Sequence, residues 1–312
     1  MNWKRYLAAL ALVLLGTSPA FSQEGSPITQ NQIVVTAQRS GAPIWTIETP
    51  TGTILLVGEI RAVPESTPWQ PDRLEEATAE SGRVILRSRP RFSPGDVFRL
   101  IIRGGRFTKL PDGTVAADYL SLQQRARLAA LEEEYDRDYD RRSFLMTSFD
   151  LLARRLDFDD YTTDDATEVV KEAAEDADVL ISRLPRYRGE DLLDNLQAAP
   201  PESHIPCLEA TMSATEAGQD IITERGEAWR GFDVPGVMAN PLEIALGQCW
   251  PWADPELGEE IRAHWVDAIA EAASADGVTM AVVPLRVLAE SGGVLDQLES
   301  QGFDIGGPDW RP

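Results

Sequence analysis

Three unbroken apolar runs constrain this chain more than any other feature. Thr53-Ile54-Leu55-Leu56-Val57 and Val84-Ile85-Leu86 lie near the beginning, and Met280-Ala281-Val282-Val283 lies near the end. Short continuous apolar runs of this kind read as strands buried on both faces. Ile44-Trp45-Thr46-Ile47 precedes the first across Glu48-Thr49-Pro50-Thr51-Gly52, a Pro- and Gly-containing turn, so the two form a hairpin with a five-residue loop. Gly302-Phe303-Asp304-Ile305 closes the chain as a further strand candidate.

Between these runs the pattern turns helical. A helix is expected over Asp72 to Ser81, with helical spacing at Leu120, Ala126, Leu128 and Leu131, and again at Phe144, Phe149, Leu152 and Leu156. Asp165-x-x-Glu168 has the form of a capped start for a helix through Val169, Val170 and Ala173. Ile261, Trp265 and Ile269 mark a helical face, and Val294 to Leu298 a last short helix. Strands open and close the chain and helices fill the middle. The expected fold class is therefore α/β: a mixed sheet from N- and C-terminal strand segments, with a large helical insert over about 115–275. Residues 23–43 are a polar segment with one β-rich patch, Ile33-Val34-Val35-Thr36, and residues 44–312 are expected to form one domain.

The first 22 residues stand apart. Lys4 and Arg5 precede an apolar run from Leu7 to Leu15, and Ala20-Phe21-Ser22 supplies a small-x-small cleavage site before Gln23. That is the layout of a secretory signal peptide, which places the mature chain in the periplasm or outside the cell and leaves no stable membrane insertion after cleavage. The run is too short for a spanning helix. Export bears on Cys207 and Cys249, the only two cysteines. In an oxidising compartment an even pair reads as a disulfide, with two separate buried thiols as the alternative.

Charge limits the partners. The chain carries 29 Lys and Arg against 51 Asp and Glu, a net −22. That balance argues against nucleic acid and against an anionic lipid surface as partners. With 2 His there is little imidazole for a metal site. No G-x-S-x-G elbow, phosphate loop, G-x-G-x-x-G or H-E-x-x-H is present, and no cofactor is implied. His204 lies in a Pro-rich loop and His264 beside the Trp265 stripe, so both read as packing or surface residues. The acidic stretch Asp157–Asp165 has carboxylates at some calcium-loop positions but Thr162 where such a loop needs Gly, so it reads as a solvated turn.

The strand ends carry the strongest signal. Val57 runs into Gly58-Glu59-Ile60-Arg61, Leu86 into Arg87, and Val283 into Pro284-Leu285-Arg286. In open α/β sheets ligands collect beyond the carboxyl ends of the strands. The first and third segments also resemble each other, a weak hint of internal duplication.

Pro43-Ile44-Trp45-Thr46, Gly52 through Arg61, Pro64 and Trp69 together resemble the N-terminal signature of the TraB/GumN proteins, relatives of the Tiki proteases. The resemblance resumes at Arg262-Ala263-His264-Trp265 and runs through Val282–Arg286, Gly293-Val294-Leu295 and Gly302–Ile305. It implies a two-halved α/β fold and, for proteolytic members, a metal-dependent hydrolytic site. That site would use Gly-x-x-His after the first core strand, a Glu after the next, and a second Gly-x-x-His near the C-terminus. Here those positions hold Arg61, Arg87 and Arg286, and Val283 replaces the second Gly.

A guanidinium stays protonated and has no lone pair for a cation. The expected reading is thus a pseudoenzyme with no metal and no catalytic residue, whose Arg61, Arg87 and Arg286, supported by Gly58 and Glu59, bind an anionic small molecule or a protein partner. In the plainer alternative each arginine pairs with a nearby acid such as Glu59, Glu65 or Glu290. Two other functions stay open: a hydrolase using carboxylates alone, for example Glu59 with Glu65, and a partner-binding module in the helical insert, anchored by Trp229, Trp250, Trp252 or Trp265. Gln32 to Arg39 also resembles the plug-opening segment of TonB-dependent receptors, but the chain is too short and too helical for their barrel.

Overall fold

The computed structural model describes residues 29–88, 108–156, 162–186, 195–196, 198–249 and 253–312. The signal segment, Asp157 to Tyr161 of the acidic stretch, and Trp250 and Trp252 lie outside the described residues.

In chain order the elements are α1 (Gln30–Gln38), β1 (Ile44–Glu48), β2 (Gly52–Glu59), β3 (Val63–Pro64), α2 (Pro71–Ala79), β4 (Arg83–Leu86), α3 (Leu122–Tyr135), α4 (Phe144–Asp150), β5 (Thr162–Thr163), α5 (Ala166–Asp176) and β6 (Leu180–Arg183). There follow α6 (Ile205–Ala217), α7 (Asp220–Arg230), α8 (Val234–Ala239), α9 (Pro241–Gln248), α10 (Pro255–Ala272), β7 (Gly277–Pro284), α11 (Leu285–Ala289), α12 (Val294–Ser300) and β8 (Ile305–Gly306).

A six-stranded mixed sheet in the order β6-β4-β7-β2-β1-β8 organises them. β1 and β2 form the expected antiparallel hairpin, and β8 adds antiparallel to β1. The other pairs are parallel: β2 with β7, β7 with β4, and β4 with β6. Every residue of β2 is buried, so helices cover the sheet on both faces, as parallel strands require. β2 and β7 pair over eight residues, from Gly52 opposite Gly277 to Glu59 opposite Pro284. Two segments more than 200 residues apart thus form the centre of the molecule.

The main core gathers the sheet, α1, α2, α5, α10 and the helices after β7, and includes Trp45, Leu55, Val84, Val170, Trp265 and Val282. Two smaller cores lie in the helical region. One joins Leu128, Leu131, Tyr139 and Phe144 to Leu208 and Met212 of α6. The other packs Leu145, Leu152, Ile221 and Leu242 around a disulfide between Cys207 and Cys249, whose Cα atoms are 4.7 Å apart.

α1 and the two strands inside the expected helical insert, β5 and β6, differ from the sequence expectation. Ile33-Val34-Val35-Thr36 is helical, inside α1. Thr29 and Gln32 cap that helix, the Thr29 N–H donating to Gln32 Oε1 at 2.9 Å. Burial of Ile33 and Ala37, four apart on one helical face, fixes it against the core despite the β-branched run. β6 falls inside the stretch expected to be helical. It is an edge strand, with Leu180 and Arg183 exposed, and so lacks the apolar continuity of its neighbours.

Candidate site at the carboxyl edge of the sheet

β4, β7 and β2 are adjacent and parallel, so their carboxyl ends share one edge, and Arg87, Arg286 and Arg61 follow those three ends. Their side chains have different surroundings. Arg61 is exposed, while Arg87 and Arg286 are half-buried.

Helix α7 crosses the end of β2 and locks it. Trp229 Nε1 donates to the Gly58 carbonyl at 2.8 Å, and Arg225 Nη1 donates to the Arg61 carbonyl at 2.8 Å. Gly58 is required by space: a Cβ there would lie 2.8 Å from Leu285 Cδ1 and 2.9 Å from Trp45 Cζ3. The chain then turns through Ala62, whose φ of 55° is left-handed, a conformation costly for a residue with a Cβ.

Glu243 of α9, which sequence reasoning missed, is shared by two arginines. Arg225 Nε donates to its Oε2 at 2.8 Å, and Arg286 Nη2 stands 3.2 Å from its Oε1 while also donating to its main-chain carbonyl. Burial pushes the Glu243 carboxyl up, but the guanidiniums of Arg225 and Arg286 outweigh it and hold the carboxyl below its ordinary value. Arg225 and Glu243 are almost fully buried, in a setting where an unpaired charge is strongly unfavourable. Glu290, the partner considered from sequence, pairs instead with Arg262 at 2.7 Å.

Glu59 is the other focus. It is 2% exposed at the last position of β2, and its Oε1 accepts the Thr167 N–H at 3.3 Å. Asp165 caps the same helix, accepting the N–H groups of Thr167 and Glu168 at 3.1 Å each. Among the described residues, Glu59 Oε2 and Thr167 Oγ1 are buried without a hydrogen-bond partner. The Glu59 carboxyl is pushed up to about 7: burial is the main cause, Arg87 lowers it, and nearby Asp165 raises it further. The acid that acts on Glu59 is therefore Asp165, whereas Glu65 is exposed. Asp165 was legible only as a helix cap, and Thr167 not at all.

The remaining candidates lie elsewhere in the fold. His204 ends a single 3₁₀ turn, where burial lowers its pKa. His264 stands 3.9 Å from Glu260 on α10. Trp229 and Trp265 are buried in the main core rather than displayed.

A family model for the TraB/PrgY/gumN family matches residues 43–306, from the start of the hairpin to β8. The chain belongs to that family. No curated protein and no solved structure matches it. The metal that the resemblance implied does not fit the residues at this edge. The positions expected to ligate carry three guanidiniums, which offer no lone pair and repel a divalent cation. Among the described residues no group of three or more His, Cys, Asp or Glu is placed to hold a metal ion. No helix among them is long and apolar enough to cross a membrane.

Proposed function

We propose that this chain is an exported, non-hydrolytic member of its family whose sheet edge binds an anionic ligand. One observation carries the reading: all three strand-end positions expected to supply metal ligands carry arginine, on three neighbouring parallel strands. Arg87 is the best placed of the three. It is half-buried, has no hydrogen-bonding oxygen among the described residues, and is coupled electrostatically to Glu59. Arg61 adds an exposed second cation, while Arg286 is already engaged by Glu243, which it shares with Arg225.

With its carboxyl near 7, Glu59 is partly protonated at neutral pH. Protonated, it no longer neutralises Arg87 and its hydroxyl becomes a donor, so an oxyanion gains a charge-assisted bond and a second donor together. Binding of an anion whose own charge is constant over this range, such as sulfate, therefore tightens as pH falls through about 7.

Two measurements test this reading. After loading with manganese, cobalt or zinc, the purified mature protein is expected to retain no stoichiometric metal; retention abolished by Glu59→Ala would overturn the reading and call for a hydrolase assay. Sulfate or phosphate is expected to bind with an affinity lowered at least tenfold by Arg87→Ala. Equal affinity in the two proteins would remove the sheet edge as the anion site.

A further inference from the structure

A second group of cations lies in the helical region, in a chain of net −22. Thr108, Lys109, Asp138, Arg141, Arg142 and Met146 line a cleft of about 310 Å³. That volume is at the small end for ligand clefts, which run to about 300–1,000 Å³.

Main-chain bonds hold the cleft's two sides together. Lys109 bridges Arg142 in antiparallel fashion, Leu110 N donates to the Arg141 carbonyl at 3.0 Å, and Ser143 N to the Thr108 carbonyl at 3.0 Å. The cations therefore project from a fixed frame rather than from two independent loops.

Of the acids nearby, one oxygen each of Asp138 and Glu132 accepts a main-chain N–H, and Asp150 faces a cleft cation. Asp138 Oδ1 accepts the Asp140 N–H at 2.8 Å, and Glu132 accepts the Tyr139 N–H at 2.6 Å. Asp150 is 5% exposed; it accepts the Tyr139 hydroxyl at 2.9 Å and faces Arg142 at 3.5 Å. Arg142 thus has its counter-charge. Neither the Lys109 ammonium nor the Arg141 guanidinium has a carboxylate partner among the described residues, and both residues are exposed.

We infer that this cleft is a second binding site, for a small soluble ligand carrying a phosphate-type oxyanion. The planar fork of Arg141 matches two oxygens of such a group, and Lys109 adds a point charge. Met146 supplies an apolar wall for the rest of the ligand. A soluble ligand fits better than a lipid headgroup, because the surface around a concave site in so acidic a chain is repelled by an anionic bilayer.

The test is a calorimetric titration of the full chain with pyrophosphate at about 20 mM ionic strength, where screening is weak. It is made in an Arg87→Ala background, so that the sheet edge does not contribute. Lys109→Ala with Arg141→Ala is expected to weaken binding at least tenfold, with the melting temperature of the ligand-free protein unchanged, since both residues are exposed and unpaired. Competition by inorganic phosphate supports the assignment. No binding in the Arg87→Ala background, or equal affinity with and without the two cleft substitutions, overturns it and leaves the sheet-edge reading standing on its own test. Sedimentation with phosphatidylglycerol vesicles that depends on Lys109 and Arg141, and that pyrophosphate does not compete away, also overturns it in favour of a membrane.

Discussion

Glu59 and Glu243 are both buried carboxyls at the same sheet edge, and their surroundings push them in opposite directions. Glu59 ionises in the unfolded chain near 4.5 but in the fold near 7, so between those values the native state holds the extra proton and stability falls as pH rises. Glu59→Gln keeps the shape and removes the charge. It is expected to raise stability at pH 8 by on the order of 1–3 kcal/mol and to leave it nearly unchanged at pH 4.5, as read from urea unfolding at the two pH values. An equal gain at both would mean that burial does not hold Glu59 protonated. Glu243 has the reverse sign. Its folded value is depressed, so its contribution is present above about 4.5 and is lost as pH falls through the folded value. Glu243→Ala leaves buried Arg225 and half-buried Arg286 without their shared counter-charge, and a loss of about 3–5 kcal/mol is expected at pH 7. A loss under about 1 kcal/mol would show that solvent reaches both guanidiniums.

The same opposition between local pattern and packing operates at the level of elements. The disulfide ties α6 to the residue that ends α9, and α9 also carries Glu243, so it braces the helix that positions Arg286. Closing a loop with a sequence separation of 42 stabilises by about 4 kcal/mol in the chain-entropy account. Cys207→Ser with Cys249→Ser is expected to lose most of that in chemical denaturation, whereas a loss under about 1 kcal/mol would mean that the third core holds these helices unaided. The central strands were legible because burial on both faces writes an unbroken apolar run, as in Leu55 to Val57 and Ala281 to Val283. Where one side of an element meets solvent that signal fades, which is why β6, with Leu180 exposed, was hidden among helices. In α1 the β-branched run spoke for a strand, and only the Thr29–Gln32 cap and the spacing of Ile33 and Ala37 spoke for the helix that packing selects. At the site, the strand-end arginines were visible because they directly follow apolar runs. Arg225, Glu243 and Thr167 were not, because each reaches the edge from a helix distant in sequence.

At the scale of the whole molecule, net charge and specific anion binding must be separated, since both raise stability when salt is added. A chain of net −22 repels itself, and any electrolyte screens that repulsion whatever its anion. An anion bound at Arg87 acts differently: it stabilises by mass action, about 2.7 kcal/mol when present at a hundred times its dissociation constant. The comparison belongs in a chain carrying Lys109→Ala and Arg141→Ala, so that the helical cleft is silent. There, chloride and phosphate at matched ionic strength are expected to raise the melting temperature by different amounts, with phosphate the larger, and Arg87→Ala should abolish the difference while leaving the chloride effect intact. Because protonated Glu59 assists binding, the same comparison made with sulfate, whose charge is constant over this range, should show a larger excess at pH 6 than at pH 8, and Glu59→Gln should flatten that dependence. Equal responses to the two anions would assign the whole effect to screening of the acidic surface. In that case the edge arginines hold the fold together through Glu243 and Glu59, and the sheet edge has no ligand of this class.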